Sequence, residues 1–178
     1  INTCTMGCFP RNVALIRDSE SWSNANTSVM SDFGVPYTVV GSTQISSTDY
    51  SLFDKIVIES RQDNTLYEAL ENDSERISEW VANGGDLDFH GADNAPLWYG
   101  NYTVPPGMEG AYSSRDNLTV DTPAHWSVVG VTSSGIDDWS SSAHGEVTAT
   151  ATTPVDVISA DSTGNPVLSV FPYGQGEV

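Results

Sequence analysis

Short apolar runs along the chain predict strands that alternate with helices. Residues 13–16 and 56–58 are continuously apolar, which is typical of strands buried on both faces of a sheet. Tyr37-Thr-Val-Val40 is β-branched and aromatic, so it predicts another strand. A fourth strand is predicted at Asp86-Leu-Asp-Phe-His90, directly after Gly84-Gly85.

Two segments between these runs carry the spacing of amphipathic helices. The first covers residues 22–33, and its predicted apolar face consists of Trp22, Val29, Met30 and Phe33. The second covers residues 65–83, with a joint expected near Asn72 because a capping pair starts there. The order strand, helix, strand, strand, helix, strand predicts an α/β domain with a mainly parallel sheet.

The second half of the chain has a different pattern. Residues 94–139 are rich in Gly, Pro, Ser and aromatic residues and show no long helical period. Three strands are predicted after them, at Glu146–Ala151, Val155–Ile158 and Pro166–Phe171. Gly174-Gln-Gly176 predicts a tight turn, and Glu177-Val178 then begins a returning strand.

The domain organisation follows from these elements. An N-terminal segment, residues 1–11, precedes one α/β domain over residues 12–178 with a strand-rich C-terminal half. The chain begins with Ile and ends where a hairpin partner starts. We therefore expect either a removed leader or a piece of a longer protein that continues beyond residue 178.

Charge restricts the partners. The 24 acidic residues outnumber the 6 Lys and Arg, which gives a net charge of -18 and a pI near 4.1. Nucleic acids and anionic membrane surfaces need clustered basic residues, so neither is expected as a partner. No apolar stretch has the length of a membrane span, and we expect no membrane insertion within this segment.

Cysteines and glycosylation sequons favour an extracellular or cell-surface location. Cys4 and Cys8 are close enough in sequence for a small disulfide loop. Four Asn-x-Ser/Thr sequons are candidate glycosylation sites, at Asn26, Asn72, Asn101 and Asn117. A soluble acidic cytoplasmic protein is the alternative.

Candidate catalytic residues follow the predicted strands. Asp18 comes after the first strand, Glu59 after the third, and His90 and Asp93 after the fourth. The carboxyl ends of parallel strands meet at one edge of a sheet, where ligands bind. His90 could act there as a general base with a carboxylate orienting it. No Gly-x-Ser-x-Gly elbow is present, and both cysteines lie far from these strand ends.

Metal and glycan sites are further candidates. His90, His125 and His144, with Asp93, offer ligands for Zn²⁺, and acidic pairs such as Asp86/Asp88 offer ligands for Ca²⁺. The default for the acidic pairs is solvated surface charge, and the default for the domain is no cofactor. Aromatic side chains stack on sugar rings, so a ligand-binding platform is predicted at Trp98, Tyr99, His125 and Trp126.

Three motifs carry a resemblance to a known family. They are Phe53-Asp-Lys-Ile-Val-Ile58, the helix end Trp80–Gly85 followed by Leu87-Asp-Phe-His-Gly-Ala92, and the turn Tyr173-Gly-Gln-Gly-Glu-Val178. Together they resemble class I glutamine-amidotransferase-like domains, and most closely the ThuA-like branch. The resemblance implies a three-layer, flavodoxin-like fold. Members of the superfamily carry a Cys nucleophile at the elbow, whereas this chain has His90, so glutaminase chemistry is not implied.

Three hypotheses for function result. The first is a non-catalytic extracellular module of a surface or secreted protein, which contacts other domains or subunits of an assembly, or carbohydrate. The second is a ThuA-like hydrolase or sugar-modifying enzyme that uses His90. The third is a metal-stabilised structural domain. The absence of a nucleophile at the elbow favours the first.

Overall fold

The computed structural model describes residues 12–21, 23–91, 117–136 and 155–178 in full, together with the backbone of three further strands. The strands are β1 (Val13–Ile16), β2 (Tyr37–Val40), β3 (Lys55–Ile58), β4 (Asp86–Phe89), β5 (Tyr102–Val104), β6 (Met108–Arg115), β7 (Thr119–Val120), β8 (Ala143–Ala149), β9 (Asp156–Ala160), β10 (Pro166–Val170), β11 (Pro172–Tyr173) and β12 (Gly176–Glu177). The helices are α1 (Ala25–Asp32), α2 (Ser42–Ile45), α3 (Asn64–Asn72), α4 (Ser74–Ala82) and α5 (Ser133–Ile136).

Several predictions fall outside these residues. They concern the Cys4–Cys8 disulfide, Trp22, Asp93, the ligand-binding pair Trp98 and Tyr99, the sequon at Asn101 and the side chain of His144.

A six-stranded sheet forms the body of the domain. Its strand order is β11-β12-β4-β3-β1-β2, and all neighbours pair in parallel except β11 and β12, which form an antiparallel hairpin. The predicted mainly parallel sheet is therefore confirmed. The apolar runs of β1 and β3 lie in its centre, which explains their uninterrupted hydrophobicity.

Helices cover both faces of the central strands. On one face, buried residues of α3 and α4 pack against Ala14, Ile56 and Leu87 of the sheet. On the opposite face, Val13, Leu15 and Val57 form a smaller cluster that Met30 of α1 and Val35 pack against. Alternate residues of a strand point to opposite faces, so β1 and β3 each supply both clusters.

The joint between the two long helices is stabilised by a buried carboxylate. Asp73 separates α3 from α4, as the sequence predicted for this segment, and accepts a 2.7 Å hydrogen bond from the Tyr50 hydroxyl. Arg76 Nη1 lies 2.8 Å from Asp73 Oδ1 and also donates to the carbonyls of Ile45 and Ser46 at the end of α2. Burial, followed by the bond to Asp73, raises the pKa of Tyr50. The joint thereby ties three helices together.

The prediction for α1 was wrong in its extent and in its buried face. The helix spans eight residues rather than residues 22–33, and Val29 and Phe33 are exposed. Met30 alone of the predicted face packs against the sheet among the residues described. Met30 packs on the small cluster of Val13, Leu15 and Val57, so a narrow buried face is enough to hold the helix on the sheet.

The second half of the chain also contains two smaller antiparallel sheets. One has the order β10-β9-β7 and the other β5-β6-β8. Strands near Val155–Ile158 and Pro166–Phe171 were predicted and are confirmed, with shifted ends. The sequence predicts no strand within residues 94–139, but this segment contains β5 and β6. The Gly and Ser residues of this segment lack the alternating apolar pattern of a strand. The backbone of β6 forms its ladder with β5 and β8.

Candidate functional site

A buried glutamine joins the loops at the carboxyl ends of β1 and β3. Gln62 has no exposed surface. Its Oε1 accepts hydrogen bonds from the backbone N–H groups of Asp18 (2.8 Å) and Ser19 (3.1 Å). Its Nε2 donates to the Ser19 and Ser60 carbonyls and to Ser21 Oγ. The amide thus satisfies backbone groups that the two loops would otherwise bury unpaired.

The predicted catalytic residue Glu59 is occupied by structural partners. Its side chain is 1 % exposed, and Oε2 lies 3.2 Å from Arg17 Nη1. Asn26 Nδ2 on α1 donates to Glu59 Oε1 at 2.8 Å. A buried carboxylate needs such partners to remain ionised. Glu59 therefore anchors α1 to the sheet rather than facing a ligand.

Asp18, also predicted as catalytic, binds a neighbouring helix. Its Oδ1 accepts a 2.8 Å hydrogen bond from the backbone N–H of Ser42, the first residue of α2. The side chain of Gln44 satisfies a second N–H at the start of that helix, that of Gly41. The carboxylate of Asp18 therefore serves as a cap for the short helix.

A cleft of about 300 Å³ lies between the β4–β12 side of the main sheet and the C-terminal strands. Its polar lining residues are Asp86, Asp88, His90, Ser127, Ser169 and Glu177. Its apolar lining residues are Leu87, Phe89, Trp126, Leu168, Val170, Phe171 and Val178. An apolar wall with a few convergent polar groups is the usual character of a ligand pocket.

Charged side chains from three neighbouring strands share the cleft's side of the sheet. Lys55 of β3 is in register with Asp86 of β4, which is in register with Glu177 of β12. Lys55 Nζ lies 3.0 Å from Asp86 Oδ2 and 2.9 Å from Asp88 Oδ2. Burial acts to lower the pKa of Lys55, but the charges of Asp88 and Asp86 outweigh it and raise the pKa.

The carboxylates of the cleft remain accessible although the protein desolvates them. The side chains of Asp86 and Asp88 are 43 % and 44 % exposed. Desolvation nevertheless raises the pKa of Asp86, against the opposing charge of Lys55. Desolvation and then the charge of Asp86 raise the pKa of Glu177, while His125 and Lys55 act in the opposite direction.

His90 lies at the carboxyl end of β4, as predicted. Its backbone N–H donates to the Ile58 carbonyl at 3.0 Å, which fixes the position of the residue beside β3. Although the residue is exposed, desolvation of the ring lowers the pKa of His90, against the charges of Asp88 and Glu59. An imidazole at this position on the cleft has the chemistry of a general base.

An exposed tryptophan stands at the rim of the cleft. Trp126 is 60 % exposed and begins a short 3-10 turn. The His125 ring lies 5.4 Å from the Trp126 ring, centroid to centroid, at an angle of 38°. His125 Nδ1 accepts a hydrogen bond from the Ser127 backbone N–H at 3.3 Å and lies 2.8 Å from Ser127 Oγ. The contacts with Ser127 orient the His125 ring beside Trp126.

The structure gives the residues predicted as catalytic different surroundings. His90 lines the cleft and senses the charge of Glu59, while Glu59 pairs with Arg17 and Asn26, and Asp18 caps α2. Asp86 was considered in the sequence as a Ca²⁺ ligand, whereas the contribution of Glu177 to a ligand site was not predicted. The Asp86/Asp88 pair was visible in the sequence, but nothing local in the sequence connects it with Trp126.

The three described sequons differ in their surroundings. Asn72, the last residue of α3, and Asn117 are exposed. Asn26 donates the Nδ2 that would carry a glycan to buried Glu59. Glycosylation at Asn26 would therefore cost the contact between α1 and the sheet.

In the part of the chain that the structure describes, no three His, Cys, Asp or Glu side chains are grouped so that they could hold a metal ion. The His90, His125 and His144 site stays a prediction, because the His144 side chain lies outside that part. Among the same residues, no helix combines the length and apolar character needed to cross a membrane.

Comparisons with known proteins show similarity to an uncharacterised protein. No family model matches the sequence, and no solved structure matches it. An uncharacterised protein of Clostridium acetobutylicum is 29 % identical over 102 residues, which amount to 54 % of this chain. The matched region covers 10 % of that relative, so the similarity concerns a small part of a much longer protein.

Proposed function

We propose that this domain is a non-catalytic extracellular module that binds a glycan in the cleft beside Trp126. The observation that carries the proposal is the exposed Trp126 ring at the rim of a cleft with three carboxylates on its floor. Aromatic faces pack against the apolar faces of sugar rings, and carboxylate oxygens accept hydrogen bonds from hydroxyl groups. Both kinds of contact are available in one cavity of suitable size.

The strand order supports the finer fold assignment. The spatial order β2-β1-β3-β4-β12 corresponds to the 2-1-3-4-5 strand order of flavodoxin-like sheets, with helices packed on both faces. We therefore retain the three-layer, amidotransferase-like arrangement, with its ThuA-like resemblance, as part of the proposal. The carboxyl edge between β1 and β3, where such folds place ligands, is filled by Gln62, Glu59 and Arg17 in this chain.

The structural hydrogen bonds at the carboxyl ends of β1 and β3 favour a binding function over a catalytic one. Two of the predicted catalytic carboxylates, Glu59 and Asp18, hold structural hydrogen bonds. Extracellular location, contact with other domains of a surface assembly and glycosylation at exposed sequons belong to the same proposal. They are supported by the acidic composition and the sequons rather than by the cleft.

A binding assay with one matched control tests this function. We expect neutral oligosaccharides such as cello- and chito-oligomers to bind the intact chain, as measured by calorimetry. Trp126→Ala should weaken binding at least about tenfold, or roughly 1.4 kcal/mol, because it removes the stacking face. Tyr37→Ala removes a partly exposed aromatic residue on β2, at the other edge of the sheet, and should leave affinity unchanged. No binding by any oligosaccharide, or equal effects of both substitutions, would contradict the proposal.

A second candidate is hydrolysis with His90 as the general base. It is favoured by the position of His90 on the cleft, at the carboxyl end of β4. The imidazole would take a proton from an attacking water and return it to the leaving alcohol. Turnover of glycosides or esters that is lost in His90→Asn, while oligosaccharide binding persists, would favour this candidate over a pure binding module.

A further inference from the structure

The side chains around the cleft carry a net negative charge. Asp86, Asp88 and Glu177 line it, and no Lys or Arg is among the described lining residues. The ammonium group of Lys55 is shared between Asp86 and Asp88. Glu177 forms no ion pair with any residue that the structure describes. The cleft therefore carries more carboxylate than the nearby cation offsets.

These carboxylates can reach a ligand. The Asp86 and Asp88 side chains keep over two fifths of their surface exposed despite their contacts with Lys55. The Trp126 ring, exposed at the rim, attracts cations through the negative face of its π system. Two independent features of the same cavity, an aromatic face and a set of accessible carboxylates, thus favour a positively charged group.

The same features disfavour anionic ligands. A sugar carboxylate would enter a partly desolvated cavity that holds three like charges and no lining cation. Neutral sugars are not repelled by the carboxylates, and they also lack the attraction that a positively charged group has to the carboxylates and to the Trp126 ring. The charged lining of the cleft therefore discriminates among ligands by their charge.

We propose that the cleft selects glycans that carry a protonated amine and rejects glycans that carry carboxylates. The inference rests on the proposed function, since it names the class of sugar that the same cleft binds. The amine is bound between Glu177 and the Asp86/Asp88 pair, and the sugar ring packs on Trp126. Charge-assisted hydrogen bonds of an ammonium group to carboxylates are stronger than neutral ones.

Three oligosaccharides of equal length test the selectivity: a glucosamine oligomer, its N-acetylated counterpart and a galacturonate oligomer. At about pH 6, below the usual pKa range of an α-amino group, the first is cationic. We expect the glucosamine oligomer to bind at least about tenfold more tightly than the N-acetylated one, and the galacturonate oligomer not to bind. Glu177→Gln should lower the ratio between the first two, whereas Glu68→Gln on α3 should preserve it.

The outcomes separate this inference from the proposed function. Equal or tighter binding of the N-acetylated oligomer, still dependent on Trp126, would overturn the charge selectivity and leave glycan binding intact. Binding of the glucosamine oligomer that survives Trp126→Ala would show general attraction to an acidic surface, and this would also overturn the inference. Binding of none of the three would overturn the inference, and it would overturn the proposed function as well if cello-oligomers also fail to bind.

Discussion

At the scale of single residues, Gln62 and Glu177 illustrate two opposite uses of a polar side chain. Gln62 is buried and has hydrogen-bond partners for both ends of its amide, so it stabilises the loops at the carboxyl edge. Glu177 is half-buried, and burial and Asp86 work against its ionised form. The first residue fixes the scaffold, and the second leaves a charge available in the cleft.

The pH dependence of stability tests the environment of Glu177. Its pKa is raised above the usual value of 4.5, so the carboxylate ionises less readily in the folded chain than in the unfolded chain. Wild-type stability should fall as the pH rises through the folded-state pKa. Glu177→Gln has no charge to lose, so its free energy of unfolding should exceed that of the wild type by roughly 0.5 kcal/mol at neutral pH. The difference should shrink towards pH 4.

Urea unfolding of both proteins at the two pH values provides the measurement. Gln175→Asn changes an exposed residue of the same hairpin without a change in charge, and its difference from the wild type should be independent of pH. A Glu177→Gln difference that grows as the pH falls would show that the folded state favours the ionised carboxylate.

At the scale of elements, the β11–β12 hairpin connects the end of α4 with the cleft. Gly174, in the turn, has a φ of +63° that favours glycine, and the Gln175 N–H donates to the Ala82 carbonyl at 2.9 Å. Gly176 lies against the backbone of α4, where a Cβ would collide with the Val81 and Gly85 carbonyls. The two glycines of the Tyr-Gly-Gln-Gly motif are therefore required by backbone conformation and packing.

Gly176→Ala should weaken this docking. Overpacking against backbone atoms costs about 2 kcal/mol, because neither carbonyl can move without disturbing the end of α4. Oligosaccharide affinity should fall as well, since Glu177 and Val178 line the cleft. Thermal unfolding and calorimetry measure the two effects. Gly135→Ala in α5, where the nearest neighbour is the Thr132 hydroxyl at 3.3 Å, is the control. A Gly176 variant as stable as this control would refute the packing role.

The sequence predicts the elements of the first half well because their signals are local. The apolar run of β1 and the helix joint at Asp73 each depend on residues within a few positions of one another. The strand β6 was missed because its Gly and Ser residues carry little periodic signal, and β8 supplies its pairing. The burial of Gln62 was also invisible, since its partners lie over forty residues earlier in the chain.

At the scale of the whole molecule, the cleft forms where distant parts of the chain meet. Residues 86–90, Trp126 and the segment 168–178 line it together. No motif could place them in one cavity before the sheet order was known, because β12 joins the sheet beside β4 rather than beside its neighbours in sequence. The net charge of -18 makes repulsion of anionic ligands a property of the molecule as well as of the cleft.

The most direct test follows the indole N–H signals of the five tryptophans by ¹H–¹⁵N NMR during an oligosaccharide titration. Trp126→Phe assigns the Trp126 signal, and Trp80, which packs against the core, serves as the internal reference. If the cleft binds glycans, the Trp126 signal moves in a saturable manner while the Trp80 signal stays in place. A Trp126 signal that stays unchanged through the titration, or saturable shifts confined to other tryptophans, would contradict the assignment of the cleft as the binding site.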